Sequence, residues 1–177
     1  MFDKLIDFII SIIDHINPFF IIREFQEGVF LRNGKFKKVL KAGFHLKFPF
    51  VDEYIQQHIM LTTLTLPAQS LVTKDGHNIV IKAVVKYRII DVKVFCLELF
   101  DSVDAISDIS QGIIKNVIMC SDWDKCIDND IDNLITKKVR SEIKKYGVEI
   151  TQVTLTDIAK IRTIRLINEG QSIIWYN

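Results

Sequence analysis

Between Phe2 and Ile16 the side chains are sorted by polarity in a way only a helix produces. At about 100° per residue, Asp3, Lys4, Asp7, Ser11, Asp14 and His15 share an arc of about 120°. Phe2, Leu5, Ile6, Phe8, Ile9, Ile10, Ile12, Ile13 and Ile16 fill the rest. At about 1.5 Å per residue the helix reaches about 22 Å, short of the roughly 30 Å of a bilayer's hydrocarbon layer. Three Asp, each opposed to central burial by about 2.5–3.5 kcal/mol, also argue against crossing. A helix with this wide apolar face lies in a membrane interface, or packs on the chain's own domain or on a second copy. Phe19 and Phe20 prolong the apolar run after Pro18, which breaks or kinks the helix and opens a re-entrant wedge as an alternative.

Charge is distributed unevenly. Residues 1–22 carry a net −2, residues 23–48 a net +5 and residues 49–177 a net −2. The basic block places Arg23, Arg32, Lys35, Lys37, Lys38 and Lys41 directly after the apolar segment, where they are expected to contact lipid headgroups at about 1 kcal/mol each. The same bias predicts a domain on the cytoplasmic side. With a net charge of only +1 there is no overall field for nucleic acid. Phe36, Phe44 and Phe48 are interleaved with the lysines, but strand alternation is expected to bury these rings while the lysines face solvent.

Beyond Phe19 the pattern becomes that of an antiparallel sheet followed by helices. Arg23–Leu31 reads as a strand, Asn33-Gly34 as a two-residue hairpin turn, and Phe36–Leu40 as the returning strand. Gly43–Phe50 alternates apolar and polar residues, Tyr54–Leu66 follows, and Asp75-Gly76 turns the chain into Asn78–Ile90, rich in Val and Ile. Asp101 or Ser102 can cap a helix carrying Ile106, Ile109, Ile113 and Val117. Asp128 or Asp130 can cap another, carrying Ile131, Leu134, Ile135, Val139 and Ile143, which Gly147 ends. Val148–Ile158 closes the unit as a strand. The expected division is 1–22 as an apolar membrane-associating segment, 23–158 as one α+β domain, and 159–177 as a short extension.

Four stretches, in order, carry a resemblance. They are Glu27-Gly28-Val29-Phe30-Leu31-Arg32-Asn33-Gly34-Lys35, then Ala42-Gly43-Phe44-His45-Leu46-Lys47-Phe48-Pro49-Phe50-Val51-Asp52, then Val72-Thr73-Lys74-Asp75-Gly76 leading into Ala83–Asp91, and finally Tyr146–Ile150 leading to Val153–Ile158. Together they resemble the SPFH, or band 7, domain of stomatins, prohibitins and flotillins. The resemblance implies an antiparallel sheet flanked by helices, held at a membrane and assembled laterally into homo-oligomers. It further implies a scaffold that organises lipid microdomains or regulates membrane-protein clients, membrane proteases included, without catalysis. The departures are Ala42, where the family favours proline, the lack of a customary proline after Ile158, and the lack of a long helix after that strand. Assembly is therefore expected to use the domain faces and the N-terminal helix. The alternative is a soluble oligomeric module that regulates another protein, with the apolar helix buried in an interface.

Catalytic signatures are missing from the sequence. It has no GxSxG, HExxH, P-loop or GxGxxG motif, and its four His are scattered. Neither a small-molecule substrate nor a cofactor is expected. Asp128, Asp130 and Asp132 match the start of an EF-hand loop, but Asn133 stands at its glycine position and Val139 at its bidentate glutamate, so no metal site is expected. Three Cys without CxxC spacing suggest neither disulfides nor zinc. The acidic N-terminus lacks the features of a cleaved signal, so the segment is expected to be retained. Phe2 stands where myristoylation needs glycine, and residues 1–22 hold no Cys for acylation.

Overall fold

The computed structural model describes residues 18–128 and 130–161. The described residues open with five strands, Phe19–Ile22 (β1), Gln26–Arg32 (β2), Lys35–Leu40 (β3), Gly43–Leu46 (β4) and Asp52–His58 (β5). Asn33 (φ 51°) and Gly34 (φ 70°) are both left-handed, which gives the β2–β3 hairpin the turn its sequence predicts. β5 pairs with the other edge of β2, making a middle sheet in the order β3-β2-β5.

β1 corrects the expected boundary at residue 22. Residues 19–22 form no part of a lipid-lying helix; they pair antiparallel with β4 as a small two-stranded sheet. Strand alternation turns Phe20 and Ile22 inward, where they meet Phe30, Leu40 and Tyr54. Phe20, only 9% exposed, stacks on Tyr54 at 4.1 Å between ring centres, so it is a core residue and not a lipid-facing one. Gly28 allows this closeness: a Cβ there would stand 2.9 Å from the Ile55 carbonyl oxygen and 3.0 Å from the Ile22 Cδ1. The strand expected from Arg23 starts at Gln26, because a turn occupies the preceding residues and returns the Gln26 N–H to the Arg23 carbonyl.

The second half builds the main core. Thr62–Thr65 (β6), Gln69–Val72 (β7) and Asn78–Ile89 (β8) are followed by the helices Val92–Leu97 (α1), Ser102–Met119 (α2), Trp123–Ile127 (α3) and Asp130–Ile143 (α4), a 3₁₀ turn over Lys144–Tyr146, and Val148–Lys160 (β9). The extended run expected over Tyr54–Leu66 divides between β5 and β6. β8 is central: β9 lies along one edge, while β6 and β7 share the other. Alternation along β8 buries Ile79, Ile81, Ala83, Val85, Tyr87 and Ile89 beneath α2 and α4, together with Val29 from β2. The opposite face presents Lys82, Lys86 and Arg88 to solvent. α4 also seals the outer edge of β9. Thr136 exchanges hydrogen bonds with the Val153 N–H and C=O, Asp132 accepts from the Leu155 N–H, and Arg140 donates to the carbonyls of Ile150 and Thr151. The result is an α+β domain of antiparallel sheets with helices, as the sequence suggests.

Candidate functional site

The site begins with the inversion of an expectation. β1 and β4 form a sheet one residue layer thick over the middle sheet, and its inner positions are taken by Phe20, Ile22 and His45. The other alternating set therefore faces outward: Phe19 and Ile21 from β1, Phe44 and Leu46 from β4. Ile21 lies directly opposite Phe44, and Phe19 opposite Leu46. Phe19 and Phe44 stack on each other at 5.2 Å, while Ile21, Phe44 and Leu46 are each more than 60% exposed. Burial of the aromatic rings at 44 and 48 by strand alternation is thus corrected. Alternation holds, but in β4 the inward positions belong to the polar set.

β4 runs into a turn that continues the apolar surface. Its last residue is followed by Lys47, whose N–H donates to the Pro18 carbonyl, and then by Phe48-Pro49-Phe50. The Phe48 carbonyl accepts from the N–H groups of Val51 and Asp52, and the Asn33 N–H closes onto the Val51 carbonyl. Asp52 organises the turn from beneath. Its side chain is fully buried, accepts from the Phe48 N–H at 2.8 Å and is clasped by Arg32 through Nε at 2.6 Å and a second nitrogen at 2.9 Å. β2 and β5 place Arg32 and Asp52 opposite each other, which is why residues 20 apart meet.

The Arg32 hydrogen bonds, aided by the Phe48 N–H, hold the Asp52 carboxyl down at about 2 against the opposing effect of its burial. Because the folded value lies below the unfolded one of about 3.9, the clasp contributes its full stability above pH about 4 and loses it as pH falls toward 2. The protection factor of the Phe48 amide, its exchange rate relative to that of the unfolded chain at the same pH, should therefore hold down to about pH 4 and fall below it, ahead of amides in β8. An amide whose protection does not depend on pH over that window would separate the turn from the carboxylate.

The sequence-predicted residues divide into three groups. Phe2, Leu5, Ile6, Phe8, Ile9, Ile10, Ile12, Ile13 and Ile16 lie outside the described residues. Phe19 joins the outward apolar face; Phe20 does not. Of the basic set, Lys35, Lys37, Lys38 and Lys41 are exposed on or just after β3, and Lys38 also lies over the Phe30 ring. Arg23 reaches over the Phe25 ring. Arg32 is engaged by Asp52 and lies against the Phe48 ring at 5.3 Å, so its first role is in the turn and not at a headgroup. Ile21 lies within the apolar segment expected over 1–22, but sequence reasoning missed Phe36, Phe44, Leu46, Phe48 and Phe50 as surface residues. Among the described residues no three His, Cys, Asp or Glu side chains stand together as a metal site would need, and no helix is long and apolar enough to cross a membrane.

The pattern that describes the SPFH domain / Band 7 family matches residues 20–169, spanning the paired sheets, the helices and β9. The chain belongs to this family. It is 27% identical over 152 residues to an uncharacterized protein of Methanocaldococcus jannaschii, covering 85% of this chain and 76% of that one. It is 25% identical over 155 residues to an uncharacterized protein of Archaeoglobus fulgidus, covering 86% of this chain and 62% of the relative. A stomatin homolog of Pyrococcus horikoshii is 24% identical over 140 residues, 78% of this chain and 53% of its own length. Proteins named HflC and HflK also match, over smaller shares. The SPFH domain thus accounts for most of this chain, and the chain spans only about half to three quarters of the length of the archaeal relatives it matches.

Proposed function

We propose that this SPFH protein is a non-enzymatic, membrane-associated scaffold whose domain rests on the cytoplasmic surface of a bilayer. There it associates side by side with other copies and organises lipid or membrane-protein clients, a membrane-bound protease among them. The observation that carries this reading is the outward apolar face of Phe19, Ile21, Phe44 and Leu46. It follows directly on the isoleucine-rich first 17 residues, so an apolar stretch of sequence adjoins the apolar face. Ile21, Phe44 and Leu46, large apolar side chains exposed together on one strand pair, are a surface awaiting a partner. The exposed lysines at 35, 37, 38 and 41 suit anionic headgroups beside it. The family relationship supports the scaffold class.

Vesicle flotation tests the reading. The full chain should float with phosphatidylcholine vesicles containing phosphatidylserine. Removing residues 1–17 should weaken flotation without abolishing it, because the β1–β4 face remains. A full chain that ignores vesicles and runs without detergent as a monodisperse oligomer would instead establish the soluble regulatory module.

A further inference from the structure

The turn after β4 is built against the interest of folding alone. Phe50 holds φ 71°, the left-handed region that glycine enters freely and a bulky side chain enters at a cost. Pro49 before it and the bond from the Val51 N–H to the Phe48 carbonyl give a turn whose third position favours glycine. The strained residue gains no packing in return, since Phe50 is 97% exposed and Phe48 66%. Yet the backbone is pinned at several points: by the Asp52 carboxylate under Phe48, by the Asn33 N–H on Val51, and by Arg32, which grips Asp52 and lies on the Phe48 ring. A tightly held turn that presents two bare rings is preorganised for something other than its own domain.

We infer that Phe48-Pro49-Phe50 is a preformed wedge that enters the acyl layer of a lipid leaflet, with Arg32 and Asp52 as the positioning residues that hold its shape. The inference rests on the membrane reading above. Three observations favour lipid over a protein pocket as the occupant. The rings project from the surface instead of lining a groove. The wedge follows directly on β4, whose outward side chains Phe44 and Leu46 belong to the apolar face. Cationic Lys47 sits at the base of the turn, with its ammonium 5.1 Å from the Tyr54 ring, at the level a headgroup would occupy.

Phe50→Gly separates wedge from fold because it removes the ring and the strain together. Its melting temperature should equal or exceed that of the native chain, while affinity for phosphatidylcholine vesicles containing phosphatidylserine falls about tenfold or more. Arg32→Lys, which keeps the charge but loses the two-pronged grip, should also weaken vesicle binding in the native background. In the Phe50→Gly background it should cost much less, because a residue acting through the wedge has less left to position. Additive losses would overturn the positioning role and make Arg32 a direct headgroup contact. Native affinity in Phe50→Gly would overturn the wedge while leaving the membrane reading intact, and so would a loss confined to the capture of a protein partner. A melting temperature well below native would refute the strain argument. A native chain that does not bind vesicles at all removes both readings.

Discussion

Gly147→Ala should melt about 10 °C below the native protein, because its added Cβ would make the tightest contact of any at the described glycines. Gly147 ends the helical stretch of α4 and its 3₁₀ turn at φ 73°, a conformation that costs an L side chain about 1–2 kcal/mol. A Cβ there would also stand 2.5 Å from the Asp91 carbonyl oxygen, well inside van der Waals contact. Neither partner can retreat cheaply. The Gly147 carbonyl accepts from the N–H groups of both Ile90 and Asp91, the Asp91 carbonyl accepts from the Phe95 N–H, and the Asp91 carboxylate caps α1 at the Val94 N–H. One point therefore joins the end of β8, the start of α1 and the start of β9. Strain plus overpacking sum to about 3 kcal/mol, and each kcal/mol moves the midpoint by about 2–4 °C in a domain of this size. Thermal unfolding followed by circular dichroism reads the shift; a midpoint within about 2 °C of native would mean the junction opens without penalty.

Gly147 as the end of its helix is legible in the sequence, though its contact with Asp91 is not, and so are the other places where local chemistry decides structure. Asn33-Gly34, Asp75-Gly76 and Gly147 announce left-handed backbone, and β8 shows its alternation without help from a partner. The helices α2 and α4 follow from apolar spacing, though the cap of α2 is misread at the level of atoms. Asp101 stands at the N-cap position, but its own φ of 48° leaves its side chain without a capping bond, and the Ser102 hydroxyl donates to the Phe95 carbonyl instead. What could not be read depends on partners distant in sequence. Residues 19–22 extend an apolar run, and only β4 turns them into a strand with Phe20 and Ile22 inside and Phe19 and Ile21 outside. Periodicity reports that Phe44 and Leu46 share a face; it does not report which face is wet. The Arg32–Asp52 clasp depends on the register of β5 against β2.

Ile21→Asp combined with Leu46→Asp should lower vesicle affinity at least about a hundredfold with little change in fold stability. Both side chains are exposed in the free domain, 67% and 63%, so substitution should move stability by only about 0.5 kcal/mol. They are not direct cross-strand partners, so the new carboxylates avoid head-on repulsion, and the Phe19–Phe44 stack is kept. Against a bilayer the balance reverses. Each change forfeits about 1.5 kcal/mol or more of apolar burial and adds a charge that must stay hydrated, and every 1.4 kcal/mol is tenfold in affinity. Leu134→Asp on α4 is the control, since it makes the same chemical change at an exposed apolar residue away from this sheet. Salt separates the remaining contributions. Native binding dominated by the apolar face should persist when salt is raised, whereas whatever binding the double variant keeps comes from the lysines and should be screened away. Binding that survives both Asp substitutions and vanishes in salt would reduce the contact to electrostatic adsorption, leaving the exposed face of β1 and β4 for a protein partner.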